Sequence, residues 1–295
     1  MVRAGFLVAG FKGLHFLKEI HRECEVVFVA SYDVKGTVDG SYGQTESFCR
    51  ENGYRFIKGR NPKGYYWKKA DVVFVVGWQH ILSKYDSRFV VLHDSLLPKS
   101  KGFCPTVNTL IQGDKAIGAS ASKMSGEADS GDIYGTRRIP VKYPIKIKDA
   151  YLLIANAYAG MARGIMRRVK KGSLRGVPQK KLSSTYSIWR DRWDYFIDWN
   201  WPADKIMRFV NAVGMPYEGA RTIYRGKEIF IDEVKVMGDL KFEARQPGKT
   251  WTLQNGRPDV ICGKGIIRII SARNSDKSKV KFDKVRERFG SIKFV

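Results

Sequence analysis

Cysteine is scarce in this chain, and acidic side chains are outnumbered. The 4 cysteines, Cys24, Cys49, Cys104 and Cys262, lie far apart with no CxxC pair, which argues against a zinc cluster or a disulfide framework and leaves free thiols, buried or inert. None of the histidines shows ligand spacing, so no metal site is expected. No apolar run reaches the roughly 18 residues that a bilayer span requires. The opening Met1 to Gly10 turns polar at Phe11-Lys12-Gly13 before any secretory cleavage pattern. These absences predict a cytoplasmic protein with no membrane partner.

Against 29 acidic side chains stand 53 basic ones, a net charge of +24, which predicts attraction to polyanions or phosphorylated ligands. The excess is spread evenly: 28 basic against 15 acidic in residues 1–172, and 25 against 14 in residues 173–295. No tail or single module carries it, so charge alone does not mark a nucleic-acid interface. Hydrophobic residues make up 43% and aromatics 13%, a composition that disordered chains lack. At 295 residues and roughly 150 residues per domain, two domains are expected.

Residues 1–172 alternate short β-rich runs with helical stretches: strands at Ala4–Ala9, Glu25–Tyr32, Tyr54–Ile57, Asp71–Val76 and Phe89–Leu92, and helices at Gly13–Arg22, Thr45–Asn52, Gln79–Tyr85 and Lys148–Lys171. This is the pattern of an α/β fold, a Rossmann-like doubly wound and mostly parallel sheet. The first turn, Gly10-Phe11-Lys12-Gly13, does not complete GxGxxG, so a dinucleotide is poorly supported. Residues 173–186, rich in breakers and charge, read as a linker. Residues 187–295 hold an aromatic-dense stretch, a helix at Ala203–Val213 and short strands, which predict a smaller β-rich, barrel-like C-terminal domain.

The chemistry centres on Leu92-His93-Asp94-Ser95-Leu96-Leu97-Pro98. It sets an imidazole at the carboxyl end of a predicted strand, the edge where open α/β sheets bind ligands. A lone histidine there is more often structural. The acidic loop Ser125-Gly126-Glu127-Ala128-Asp129-Ser130-Gly131-Asp132 shifts the balance, because it can bring a carboxylate to the ring, as proton transfer or oxyanion stabilisation in acyl transfer requires. The spacing of Asp129 and Asp132 also fits a plain turn or a calcium loop, but the rest of an EF-hand is missing.

With these residues in view, the chain resembles the formyltetrahydrofolate-dependent formyltransferases, which include methionyl-tRNA formyltransferase, glycinamide ribonucleotide formyltransferase and the nucleotide-sugar N-formyltransferases. The resemblance runs through His93 to Gly102, Ile111-Gln112-Gly113-Asp114 with Ile117-Gly118, and Asp129-Ser130-Gly131-Asp132-Ile133. Later landmarks are Ile197-Asp198-Trp199, Trp201-Pro202-Ala203, Pro216 to Ala220, Gln246 to Lys249 and Cys262 to Gly265. It implies an enzyme that transfers one carbon from N10-formyltetrahydrofolate to a primary amine, with His93 and Asp129 as two of the family's Asn-His-Asp catalytic set. It further implies that Ser95, Leu96, Leu97 and Pro98 border the folate, and that Trp78, Gln79, His80, Ile81 and Leu82, with the Gly126 loop, enclose the pterin.

Two positions depart from the family pattern. Val91 stands where the family has its asparagine and cannot donate a hydrogen bond; Gln79, His80 and, more weakly, Asn108 are the candidates to replace that amide. Asp94 stands where many relatives have proline. For the acceptor, the stretch Tyr32 to Gly40 lacks the Gly- and basic-rich insertion of the tRNA enzymes, so a nucleotide-linked amino sugar is favoured, with Lys99 and Lys101 candidates to meet its diphosphate. Transfer to methionyl-tRNA, formyltetrahydrofolate hydrolysis and an inactive RNA-binding module that stacks bases on aromatics remain alternatives. A homodimer is compatible with the resemblance.

Overall fold

The computed structural model describes residues 1–63, 66–180 and 184–290. The chain divides into two compact units: Met1–Thr106, Lys115–Val141 and Lys148–Trp189 form the first, and Val107–Asp114, Lys142–Ile147 and the residues from Arg190 onward form the second.

The first unit is built on β1 (Arg3–Val8), α1 (Gly10–Ile20), β2 (Glu25–Ser31), α2 (Ser41–Glu51), β3 (Phe56–Lys58), β4 (Val72–Val76) and β5 (Phe89–His93). After β6 (Lys101–Gly102) and α3 (Pro105–Gln112) come β7 (Ala116–Lys123), β8 (Ile133–Pro140), α4 (Ile147–Lys170) and β9 (Tyr186–Ser187). Its main sheet runs β3-β2-β1-β4-β5-β7-β8. The first five strands are parallel and the last two antiparallel. The order reverses direction at β1, so the carboxyl ends of β1, β4 and β5 frame the crevice where such sheets take ligands.

β4 is buried throughout, because its run of Val and Phe faces core on both sides. On one face Phe6, Phe16 and Phe74 pack ring to ring at 5.8–6.0 Å, with Tyr158 of α4 edge-on to Phe16. On the other, Leu7, Phe28, Val73, Val75 and Phe89 form a second cluster, against which Val91 and Trp78 pack. Successive strand residues alternate faces, so Phe89, Val91 and His93 share this second face and Asp94 turns toward α1.

The sequence reading of β1, α1, β2 and β4 agrees with these elements. The helix expected over 79–85 is absent: residues 79–86 are irregular and only Leu82 is buried. A single apolar anchor gives a short helix no face to bury. Residues 173–180 and 184–189, read as mostly linker, pack within the first unit. Val177 bridges Ile133, and β9 pairs in parallel with β6.

In the second unit, α5 (Ala203–Ala212) precedes β10 (Ala220–Tyr224), β11 (Lys227–Met237), β12 (Thr250–Gln254), β13 (Arg257–Ile261), β14 (Ile266–Arg273) and β15 (Phe289–Gly290). The sheet order is β12-β13-β14-β11-β10-β15. Its two edges meet again, Phe289 N donating to Gly248 O at 2.8 Å and Thr250 N to Glu287 O at 2.9 Å. Closure of this kind removes exposed edges, and it is the barrel-like form expected from the sequence.

Candidate active site

His93 ends β5 and is 6% exposed. Its Nε2 faces Ser100 O at 2.9 Å, and its Nδ1 lies 3.4 Å from Asp129 Oδ1. With both nitrogens protonated, each N–H meets an oxygen. The other carboxylate oxygen of Asp129 accepts from Gly102 N at 2.8 Å. Asp129 therefore ties the turn at Gly102 to the ring.

Both partners of the ring sit in the left-handed region, Ser100 at φ 54° and Asp129 at φ 52°. Non-glycine residues hold such conformations where the surroundings over-determine them, and they cluster at functional sites. The surroundings are visible here. Ser100 N donates to Thr185 Oγ1 at 2.8 Å and Lys101 N to Thr185 O at 2.9 Å. Gln179 Nε2 donates to both Asp129 O and Gly131 O, at 2.8 and 2.7 Å. Gly131 is required on steric grounds, since a Cβ there would lie 1.8 Å from Lys123 O.

Asp94 occupies the far side of the strand end. Lys12 Nζ lies 2.5 Å from its Oδ1, and Thr106 Oγ1 donates to its Oδ2 at 2.6 Å. Burial alone would raise this carboxyl; the Lys12 ammonium, His93 and the two side-chain hydrogen bonds outweigh it and hold Asp94 at about 2. Tyr158 is fully buried nearby, and its hydroxyl has no hydrogen-bond partner among the described residues. Its pKa is raised well above the ordinary value, by burial first and then by Asp94 and Asp129. The phenol stays protonated.

The turn after His93 is braced from β7. Ser120 Oγ donates to Ser95 O at 2.6 Å and accepts from Leu97 N at 3.0 Å, while Ser95 Oγ donates to Lys99 O at 2.7 Å. Leu97 is buried, Leu96 and Pro98 are half-buried, Lys99 is exposed and Lys101 is 8% exposed.

After β4, Trp78 is half-buried and stands edge-on to Tyr32 at 4.9 Å, with its Nε1 buried and unpartnered among the described residues. Gln79 is exposed, with its backbone N–H on Tyr32 Oη at 2.9 Å. His80 packs on the same tyrosine ring, its pKa lowered by burial and then by Arg60. Ile81 is 79% exposed, whereas Leu82 belongs to the core cluster. Gly126 is exposed in the Asp129 loop.

Gln79 and His80 belong with Tyr32, and Asn108 Oδ1, in the second unit, accepts from Arg190 at 2.5 Å. Sequence reading did not single out Lys12, Thr106, Tyr158 or Gln179. Among the described residues no three His, Cys, Asp or Glu side chains converge as metal ligands.

A doubly wound sheet that presents a histidine–carboxylate pair at its carboxyl edge is followed along the chain by a closed β unit. The family models for "Formyl transferase" and "Formyl transferase, C-terminal domain" match residues 61–151 and 191–289, and the chain belongs to the formyltransferase family. It is 28% identical over 196 residues to a methionyl-tRNA formyltransferase of Nitrobacter hamburgensis, a match covering 65% of this chain and 61% of that protein.

Among solved structures, the sugar 3N-formyltransferase WlaRD superposes with a TM-score of 0.65 at 14% identity, covering 96% of this chain and 99% of WlaRD. HypX of Aquifex aeolicus, solved with tetrahydrofolic acid, superposes at 0.60 and 18% identity over 95% of this chain. This chain spans less than half of HypX, 45% of its length.

Proposed function

We propose that the chain transfers a formyl group from N10-formyltetrahydrofolate to the primary amine of an amino sugar linked to a nucleoside diphosphate. The observation that carries the acyl-transfer step is the His93–Asp129 pair at the carboxyl edge of β5, 3.4 Å apart and buried, within a family-matched segment. The residues present fit a folate. Trp78 offers a ring edge and an unpartnered indole N–H, Ile81 an exposed apolar side chain, and the turn from Ser95 to Pro98 a braced wall.

In this reading the acceptor amine attacks the formyl carbon while His93, oriented by Asp129, stabilises the negative charge growing on the formyl oxygen. The C–N bond to the folate then breaks as the new amide forms. The proton lost by the amine passes to the departing nitrogen through His93 or water. Holding two substrates in register supplies much of the remaining rate.

The choice of a sugar rests on the connection between β2 and α2. Residues 32–40 are nine positions long, with one lysine and no basic run, and leave no insertion to grip tRNA. Similarity to the Nitrobacter enzyme and the +24 charge favour a second reading, methionyl-tRNA as acceptor.

The deciding assay incubates purified protein with N10-formyltetrahydrofolate and either a panel of nucleotide-linked amino sugars or methionyl-tRNA, reading tetrahydrofolate release and product mass together. A formylated sugar supports the first reading. Formylated tRNA, with an affinity that falls steeply with salt, replaces it by the second. Folate turnover without a formylated product turns the assignment to hydrolysis, and no turnover with either acceptor removes the transferase reading.

A further inference from the structure

Resting on the formyl-transfer reading above, we propose that Ser122 supplies the hydrogen bond to the formyl oxygen that Val91 cannot give. β5 and β7 are antiparallel, with Val91 opposite Ser122 and His93 opposite Ser120. Directly opposed residues share a face, with Cβ atoms about 4.5–5.5 Å apart and diagonal neighbours about 7–8 Å apart. Ser122, Val91 and His93 thus point the same way, and Ser122 stands beside the position from which a side chain at 91 would address the site.

The hydroxyl is without employment inside the protein. Ser122 is 0% exposed and its Oγ has no hydrogen-bond partner among the described residues. Ser120, one step along the same face, uses its hydroxyl fully on Ser95 and Leu97. A buried hydroxyl with no acceptor is destabilising, and the neighbouring strand positions 119 and 121 are both alanine. Serine at 122 is then a local cost without a local return, the mark of a group kept for a ligand.

Other donors near His93 are committed. Its Nε2 faces Ser100 O and its Nδ1 faces Asp129, Gly102 N holds Asp129, and Lys12 and Thr106 hold Asp94. Tyr158 has a free hydroxyl but lies on the opposite face of the sheet, against Phe16. Among the described residues, Trp78 Nε1, which packs with Val91, and Ser184 Oγ, beside the Thr185 that holds Ser100, are competing unpartnered donors. Ser122 is preferred because strand register, not a loop, fixes it opposite Val91. As the amine–carbon bond forms and the carbonyl π pair moves onto oxygen, the Ser122 hydroxyl donates to that oxygen without losing its proton.

The test binds an N10-formyl-5,8-dideazafolate, labelled with ¹³C at the formyl carbon, and reads its carbonyl stretch by difference infrared spectroscopy. The proteins are the wild type, Ser122→Ala, Ser122→Cys, Trp78→Phe and the double variant Val91→Asn/Ser122→Ala. The expected result is a band shifted to higher wavenumber in Ser122→Ala, partly shifted in Ser122→Cys, and returned by Val91→Asn in the double variant. With the natural co-substrate, kcat should fall about 100-fold in Ser122→Ala while the folate KM changes less than twofold, and should recover in the double variant. A wild-type band and kcat in Ser122→Ala overturn the proposal, as does a band that moves in Trp78→Phe instead. If the wild type does not bind the analogue at all, the formyl-transfer reading falls and this inference with it, an outcome distinct from binding without a shift.

Discussion

The carboxyl edge of the first unit's sheet and the barrel of the second unit both contain buried or half-buried ion pairs, but they choose different cations. In the barrel, Arg268 forks onto Asp259 at 2.7 and 2.8 Å, Arg273 meets Asp232 at 2.9 Å, and Arg221 joins Glu218 to Glu228. At the sheet edge the cations are Lys12 and His93, each facing a carboxylate through a single nitrogen. A guanidinium keeps its charge at every accessible pH and presents a rigid fork, whereas imidazole and ammonium groups can be shifted and can move protons. The barrel's pairs clamp neighbouring strands, whereas the edge's pairs gather at the turn that ends β5.

The sharpest way to break this contrast is to remove the cation from each side. His93→Ala should lower kcat by about 10²–10⁴-fold, the range for a general acid–base group, with folate binding retained in the folded molecules. Arg221→Ala should do the reverse. Arg221 is 6% exposed between two glutamates, and breaking a buried pair costs about 3–5 kcal/mol. The surviving folded fraction should keep its kcat. Denaturant melts and initial rates on both variants check the prediction; loss of activity per folded molecule in Arg221→Ala would erase the distinction.

Lys12→Met joins the two behaviours, because Lys12 pairs with Asp94, the residue that follows His93. In the wild type, Asp94 lies at about 2 against an ordinary 3.8. Its contribution, about 2 kcal/mol from that difference, is present above the ordinary value and lost as the pH falls toward 2. Without Lys12, burial dominates and the carboxyl rises. The acid-side fall in melting temperature should then begin closer to neutral pH in Lys12→Met than in the wild type. Melting curves from pH 3 to 8 test this, and superimposable wild-type and variant profiles would show that Lys12 does not hold the charge of Asp94.

How far the sequence revealed all this varies by residue. β4 was legible because five consecutive Val and Phe residues leave little choice, and His93 and Asp129 were legible through motif and spacing. β7 escaped notice because Ala-Ile-Gly-Ala-Ser-Ala-Ser-Lys is built of small residues with little β-branched signal. Lys12 was read only as part of a failed glycine motif, although Asp94 in place of a proline already called for a nearby cation. Gln79 and His80, the candidates to replace an amide at Val91, lie on a loop, whereas the unpartnered Ser122 hydroxyl lies on the paired strand opposite Val91. Pairing register is a long-range property that no local pattern carries.

Gln179 carries the faintest sequence signal of these residues. It falls in a stretch whose lysines, glycines and proline read as linker, and the same lack of side-chain commitment lets that stretch pair with Ile133 and β6. Its amide donates to Asp129 O and Gly131 O and so holds the loop that delivers the carboxylate to His93. Because Gln179 touches only backbone, removing it should disturb placement and leave the chemical groups intact. Gln179→Ala is expected to lower kcat about 10-fold, the cost of roughly one hydrogen bond's worth of misplacement, with stability nearly unchanged. Gln179→Glu, which cannot donate when ionised, should match the alanine variant at neutral pH and regain rate as its carboxyl protonates. A pH–rate profile in which the glutamate variant never recovers relative to alanine would place the loop's anchoring in Gly131 and the β7–β8 pairing instead.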